Sequence, residues 1–149
     1  MSEENKGYNG FSNYPTWNVA LWIGNEEPLH REWECDRPAD LYREAVRDQL
    51  EEFTFEPGEN PTTKINREEA KSDIVHTLAT ELKDHFTGLA DDMLAEAGQG
   101  SSFFADLLGY AMGEVNWHEI ATNYVSEIDF EEIEKEVAEE FAIEPEEAE

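Results

Sequence analysis

A chain of 149 residues suits one domain, and 39% apolar residues with 4 Trp, 5 Tyr and 8 Phe are enough for a core. Ten Lys plus Arg face 37 Asp plus Glu, a formal net charge of −27. That balance excludes direct binding to nucleic acid or to an anionic membrane, since both need a basic footprint.

Three meanings of the charge stay open: work in concentrated salt, carboxylates offered to a basic partner, or plain acidic solvation. The single cysteine, Cys35, gives no internal disulfide and fits a reducing interior. Neither an export signal nor an apolar run of membrane length is present, so a cytoplasmic protein is expected.

Residues 1–12 are polar and Gly-containing and read as a flexible arm. Asn13 to Leu29, NYPTWNVALWIGNEEPL, is the densest aromatic and aliphatic block. Thr16 is placed to cap a helix there, with Tyr14 and Pro15 fixing its entry. Trp17, Ala20, Leu21 and Gly24 fall on one helical face, and Val19, Trp22 and Ile23 on the next. A helix apolar nearly all round belongs at the centre of a core.

After a break at Glu26-Glu27-Pro28, Leu29 and Trp33 mark a short inner face. Pro38 opens a clearer helix with the stripe Leu41, Tyr42, Ala45, Val46, Leu50 and Phe53. Phe55 to Ile65, with two Pro, one Gly and one Asn, reads as a loop. Asn66 and Glu69 resemble a capping box before the row Ala70, Ile74, Leu78, Leu82 and Phe86. Gly88 is expected to bend or interrupt this helix, and Gly98-Gln99-Gly100 to end it.

Ser101 and Ser102 cap the next segment, with Phe103, Phe104, Leu107, Leu108, Ala111 and Met112 on a wide apolar face. Ala105, Gly109 and Gly113 recur every four residues, so close approach of another backbone is expected along that row. Asn116 and Glu119 form a second capping pair before Trp117, Ile120, Ala121, Tyr124, Val125 and Ile128. Asp129 caps a last helix with Phe130, Ile133, Val137 and Phe141 inside, and residues 144–149 form a disordered acidic tail. No run alternates with period two. The expected fold is all-α, a compact bundle of six or seven helices over residues 13–143 around the central apolar N-terminal helix.

No set of residues is arranged for chemistry. His30, His76, His85 and His118 fit no nucleophile or zinc pattern; Asp73-x-x-His76 and Glu81-x-x-x-His85 pair a carboxylate with an imidazole, but the two Glu-x-x-His motifs of a bundle di-metal site are absent. Acidic neighbours should raise the Cys35 pKa, against what a reactive thiolate needs. GQGSS lacks the Lys and the spacing of a phosphate loop. No enzyme, metal or cofactor is therefore expected. Trp17, Trp22, Trp33 and Trp117 read as core rather than as a ligand pocket, with Asn13, Asn18 and Asn25 as partners for their indole N–H groups.

The last helix is the densest acidic stretch. Glu131, Glu134, Glu136, Glu139 and Glu140 are the candidate partner-binding face, because carboxylates three or four apart lie about 5–6 Å from each other. That spacing is comparable to the phosphate spacing of a nucleic-acid strand. The competing reading is a solvated face in high salt; 28 Glu, 9 Asp and only 5 Lys fit either, and the spread of acids through every helix leans toward salt.

Asn13, Tyr14, Thr16, Trp17, Val19, Leu21 and Trp22 form one block. Leu107, Leu108, Val115, Asn116, Trp117, Glu119, Ile120 and Ala121 form a second. In this order they resemble a family of small proteins carried by phages, plasmids and archaeal mobile elements. The two blocks cover about a quarter of the chain. The resemblance implies a mobile-element setting and a helical fold, with no assigned activity, and it marks Asn13, Tyr14, Thr16, Trp17, Trp22, Asn116, Trp117 and Glu119 as a signature core. The expected function is thus a non-enzymatic acidic protein that binds a basic or nucleic-acid-binding protein, in its sharper form as a nucleic-acid mimic. The alternative is a salt-adapted helical protein with a ligand-binding or oligomerisation role.

Overall fold

The computed structural model describes residues 8–145. The expected arm and tail fall largely on residues 1–7 and 146–149, outside the described residues. Where the arm is described it is held: Tyr8 and Phe11 exchange backbone hydrogen bonds, and Phe11 packs on the core.

The chain is all-α. Helix α1 (Tyr14–Asn25) is followed by a single turn, α2 (Glu27–Leu29), which runs into a π-helix (His30–Asp36). Then come α3 (Arg37–Leu50), a 3₁₀ turn (Pro61–Lys64), α4 (Arg67–Glu96), α5 (Phe103–Gly113), α6 (Trp117–Ser126) and α7 (Phe130–Phe141). Among the described residues there is no β-strand beyond the isolated Tyr8–Phe11 bridge. No helix there is long and apolar enough to cross a membrane.

The helix starts follow their caps. Side-chain oxygens of Asn66, Ser102, Asn116 and Asp129 accept backbone N–H groups three residues on, which satisfies donors that a first turn leaves unpaired. At α1 the cap is Asn13 rather than Thr16: Asn13 Oδ1 accepts the Thr16 N–H at 2.9 Å. Thr16 lies inside the helix, and its hydroxyl serves another purpose described below. Gly98, at φ +73°, takes the left-handed conformation after α4 that an L side chain resists. Gly88 neither breaks nor interrupts α4, which is continuous over 30 residues.

The centre of the fold differs from the sequence expectation. Most of the fully buried side chains come from α3 (Pro38, Tyr42, Val46, Leu50), α4 (Leu78, Leu82), α6 (Ile120, Val125) and α7 (Val137). The expected hub, α1, buries only Thr16 and Ile23, and Trp22 is 59% exposed. The physical reason is geometric. Four amphipathic helices each offer one apolar stripe, and the core forms where the stripes meet, so no helix needs to occupy the axis. Helix α1 closes one side of that assembly, and its surplus apolar surface stays outside. Phe53 also departs from its predicted stripe, because α3 ends at Leu50 and Phe53 is exposed beyond it.

Helix α4 is too long for the bundle that holds it. Its buried residues end at Leu82 and Phe86 still packs on the core, which leaves ten residues, about 15 Å at 1.5 Å per residue, beyond it. Helix α5 packs alongside this overhang, and α5 contains no buried residue.

Candidate functional site

The two sequence blocks of the resemblance meet in space as one joint. Thr16 Oγ1 accepts the Asn116 N–H at 2.8 Å, and Asn13 Nδ2 donates to the Glu114 carbonyl at 2.8 Å. From the other side, Glu119 Oε1 accepts from the Ser12 hydroxyl at 2.7 Å and from the Ser12 N–H at 3.2 Å. Each block thus holds the residues around the other's helix start while its own cap holds its first turn. Trp117 is buried and stacks on Phe86, with ring centroids 6.2 Å apart and planes 7° from parallel. Trp17 is half-buried against Tyr14, which is exposed. The expected core role therefore holds for Trp33 and Trp117 and fails for Trp22. The expected asparagine partners also fail for the buried indoles. Asn13 is committed to its cap and to Glu114, and the N–H groups of Trp33 and Trp117 have no acceptor among the described residues.

The proposed acidic face of α7 is divided. Arg67 grips Glu134 with two hydrogen bonds of 2.7 and 2.8 Å, and the Tyr42 hydroxyl donates to the same carboxylate. Arg43 pairs with Glu136 at 2.6 Å, and Arg47 with Glu140 at 2.9 Å. These three glutamates fasten α7 to α3 and α4. Glu131 and Glu139 are exposed, pair with no cation among the described residues, and line a shallow cleft with Glu59 and Pro61. Arg31 and Arg37 pair with Glu27 and Glu81, so all five arginines of the sequence are engaged internally. The outward charge is then carried almost wholly by carboxylates.

The clamps predict a pH dependence. Arg67, and secondarily Tyr42, hold the Glu134 carboxyl below its ordinary value of 4.5, and Arg47 does the same for Glu140. A group whose pKa is depressed by folding contributes stability above its unfolded value, lost as pH falls through the folded one. Glu127 runs the other way: partial burial and its neighbour Glu34 raise its pKa, so its cost is relieved by acid. General repulsion at −27 is relieved by acid too. Melting temperature in dilute buffer is therefore expected to rise from pH 7 to about 5.5 and to fall below about 4.5. A steady fall from pH 7 would contradict this balance.

The overhanging hairpin of α4 and α5 gives the most distinctive surface. Leu89 and Met93 on α4, and Phe103, Phe104, Leu107 and Tyr110 on α5, are exposed to between 42% and 72%. Ala105, Leu108 and Met112 turn toward α4 instead, lining with Ala90 and Leu94 a groove of about 380 Å³. The Ala105, Gly109 and Gly113 row meets no second backbone. A Cβ added at Gly109 or Gly113 would find open space, so the expected close approach is not made within this chain. Three aromatic side chains of about 150–250 Å² each, more than half exposed, with three aliphatic neighbours, leave an apolar face of roughly 500 Å² or more. A face of that size is as large as the biggest apolar patch of a typical monomer, and such patches are often functional. The sequence shows the wide apolar face of Phe103, Phe104 and Leu107, but periodicity does not show what covers it.

No group of three His, Cys, Asp or Glu is placed to hold a metal ion among the described residues. Burial, then Glu34 and Asp36, push the Cys35 thiol above its ordinary pKa, and the sulfur is exposed. What the fold defines is a small acidic helical protein with an exposed apolar face. Its sequence matches the family of unknown function DUF7249 over residues 4–140, and the chain belongs to that family. No curated protein and no solved structure matches it.

Proposed function

We propose that the chain is a non-enzymatic binding protein that docks a cationic protein on the α4–α5 hairpin face. The exposure of Leu89, Met93, Phe103, Phe104, Leu107 and Tyr110 carries this reading. Charge selects the occupant. Asp91, Asp92, Glu96, Asp106 and Glu114 accompany the face, and no Lys or Arg occurs between Lys83 and Lys135. A partner with an apolar groove rimmed by Lys or Arg satisfies both features, with charge guiding encounter and the apolar core holding the complex.

In its sharper form the protein belongs to a mobile element and imitates nucleic acid against a host defence or DNA-handling protein. The resemblance of the two blocks motivates the setting, and the outward Glu131 and Glu139 supply part of the acidic path. Glu134, Glu136 and Glu140 enter that path only as arginine-neutralised carboxylates.

Affinity capture at graded salt tests the proposal, using the wild-type chain, a Phe104→Ser/Leu107→Ser variant and a Glu131→Gln/Glu139→Gln variant. A basic protein is expected on the wild type, weakening as salt rises and lost on the hairpin variant. Loss only on the glutamine variant moves the contact to α7 and overturns the hairpin reading. A salt-strengthened dimer of the chain itself, dispersed by the hairpin substitutions, overturns the choice of partner.

The second reading is salt adaptation, favoured by the distribution of acids over every α-helix but α1 and by the scarcity of Lys. Here the charge serves solvation alone. Unfolding in dilute buffer, reversed by molar KCl, is its expected signature, whereas full stability without salt contradicts it.

A further inference from the structure

A second concave surface lies between α1, the π-helix and α6, and it shares no residue with the hairpin face. Phe11 and Trp17 wall one side; Glu34, with His30, comes from the π-helix; Tyr124 and Glu127 come from α6. The cleft holds about 480 Å³, within the range of small-ligand sites.

The π-helix sets the chemistry of one wall. Its wider i→i+5 turn brings Cys35 Sγ to 3.5 Å from His30 Nε2, while His30 Nδ1 lies 3.0 Å from Glu34 Oε1. These two contacts hold the imidazole in place and fix one Glu34 oxygen, which leaves the second Glu34 oxygen free to face the cleft. Glu127 crowds the same region, and its raised pKa reflects partial burial together with the neighbouring Glu34 charge.

An independent observation points to a ligand. Tyr124 is only 5% exposed, lines the cleft, and its hydroxyl has no hydrogen-bond partner. Buried hydroxyls nearly always have one. The Glu34 and Glu127 charges both act on this hydroxyl, so it lies toward the acidic pair.

We propose that this cleft binds an organic cation, a primary ammonium or guanidinium group held between Glu34 and Glu127 beside Trp17 and Phe11. Carboxylates supply acceptors in the number that such forked donors need, and aromatic walls attract a weakly hydrated cation. The Tyr124 hydroxyl accepts a further N–H. A bare metal ion fits less well, because no third ligating side chain converges. Anions are excluded by the charge.

The cation has two possible sources, a free amine or a partner protein's side chain, and two probes separate them. Putrescine stands for the first and N-acetylarginine amide for the second. Each is titrated into isotope-labelled protein at constant ionic strength while the Trp17 indole N–H resonance is followed. Saturable binding near 1 mM is expected for at least one probe, on the order of a bare ion pair with ring contacts. Glu34→Gln and Glu127→Gln are each expected to weaken it at least tenfold. Glu32→Gln, which removes one exposed charge from the same π-helix, is expected to leave it within twofold. Tighter binding of putrescine assigns a free amine, and tighter binding of the arginine derivative assigns a side chain. No saturation by either probe, or equal weakening by all three substitutions, overturns the site. Glu127 is exposed, so its variant keeps the test sound if Glu34→Gln unfolds the chain.

Discussion

Leu78→Ala is expected to lower the unfolding free energy by about 2–5 kcal/mol, and Trp22→Ala by less than about 1 kcal/mol. Leu78 is fully buried on α4, where the stripes of α3, α4 and α6 meet. Removing its methyl groups leaves a cavity that four packed helices close only partly. Trp22 is the larger residue and lies in an apolar helix, yet most of its surface is already wet. Urea unfolding of the two variants decides the matter. An equal or larger loss at Trp22 would restore α1 to the centre of the fold.

The joint between the two sequence blocks gives the second large effect. Thr16→Val keeps shape but removes the oxygen that accepts the Asn116 N–H, and Glu119→Ala removes the acceptor for both Ser12 donors. Each is expected to cost about 1–3 kcal/mol, the usual consequence of stranding a poorly hydrated donor. The double variant is expected to cost less than the sum by 0.5 kcal/mol or more, because both contacts hold the same segment onto α6. Urea titrations of the three proteins measure the coupling. Strict additivity, or single losses below about 0.5 kcal/mol, would mean that the joint is incidental. On this reading the two sequence blocks are architectural: Asn13, Thr16, Asn116 and Glu119 fix how two helices start against each other.

The local structure was largely legible in the sequence. Asn66, Ser102, Asn116 and Asp129 cap helices because their side chains reach a backbone donor three residues on, which is a local event. The stripes of α3, α6 and α7 were likewise visible as periodicity. The covering of each apolar face was not, since it depends on length matching between distant elements. Helix α4 outruns α6, and that mismatch leaves Leu89 and Met93 bare. The division of the α7 glutamates was also hidden, although a signal existed. Arg43 and Arg47 repeat with the same four-residue step as Glu136 and Glu140, and two such ladders on facing helices pair in register. The cleft at the π-helix had no precursor in the pattern, because His30 and Cys35 share a side only when the turn widens.

The function proposed here requires that the hairpin face be idle in the free protein. The most direct measurement is the melting temperature of Phe104→Ser/Leu107→Ser against wild type, taken at two protein concentrations. An idle face predicts values within about 2 °C of each other at both concentrations, since Phe104 and Leu107 are more than half exposed and their replacement removes little packing beyond the Phe103 ring contact. A fall of more than about 5 °C would show that these residues are already covered, by the chain itself or by a second copy, and would contradict the docking face.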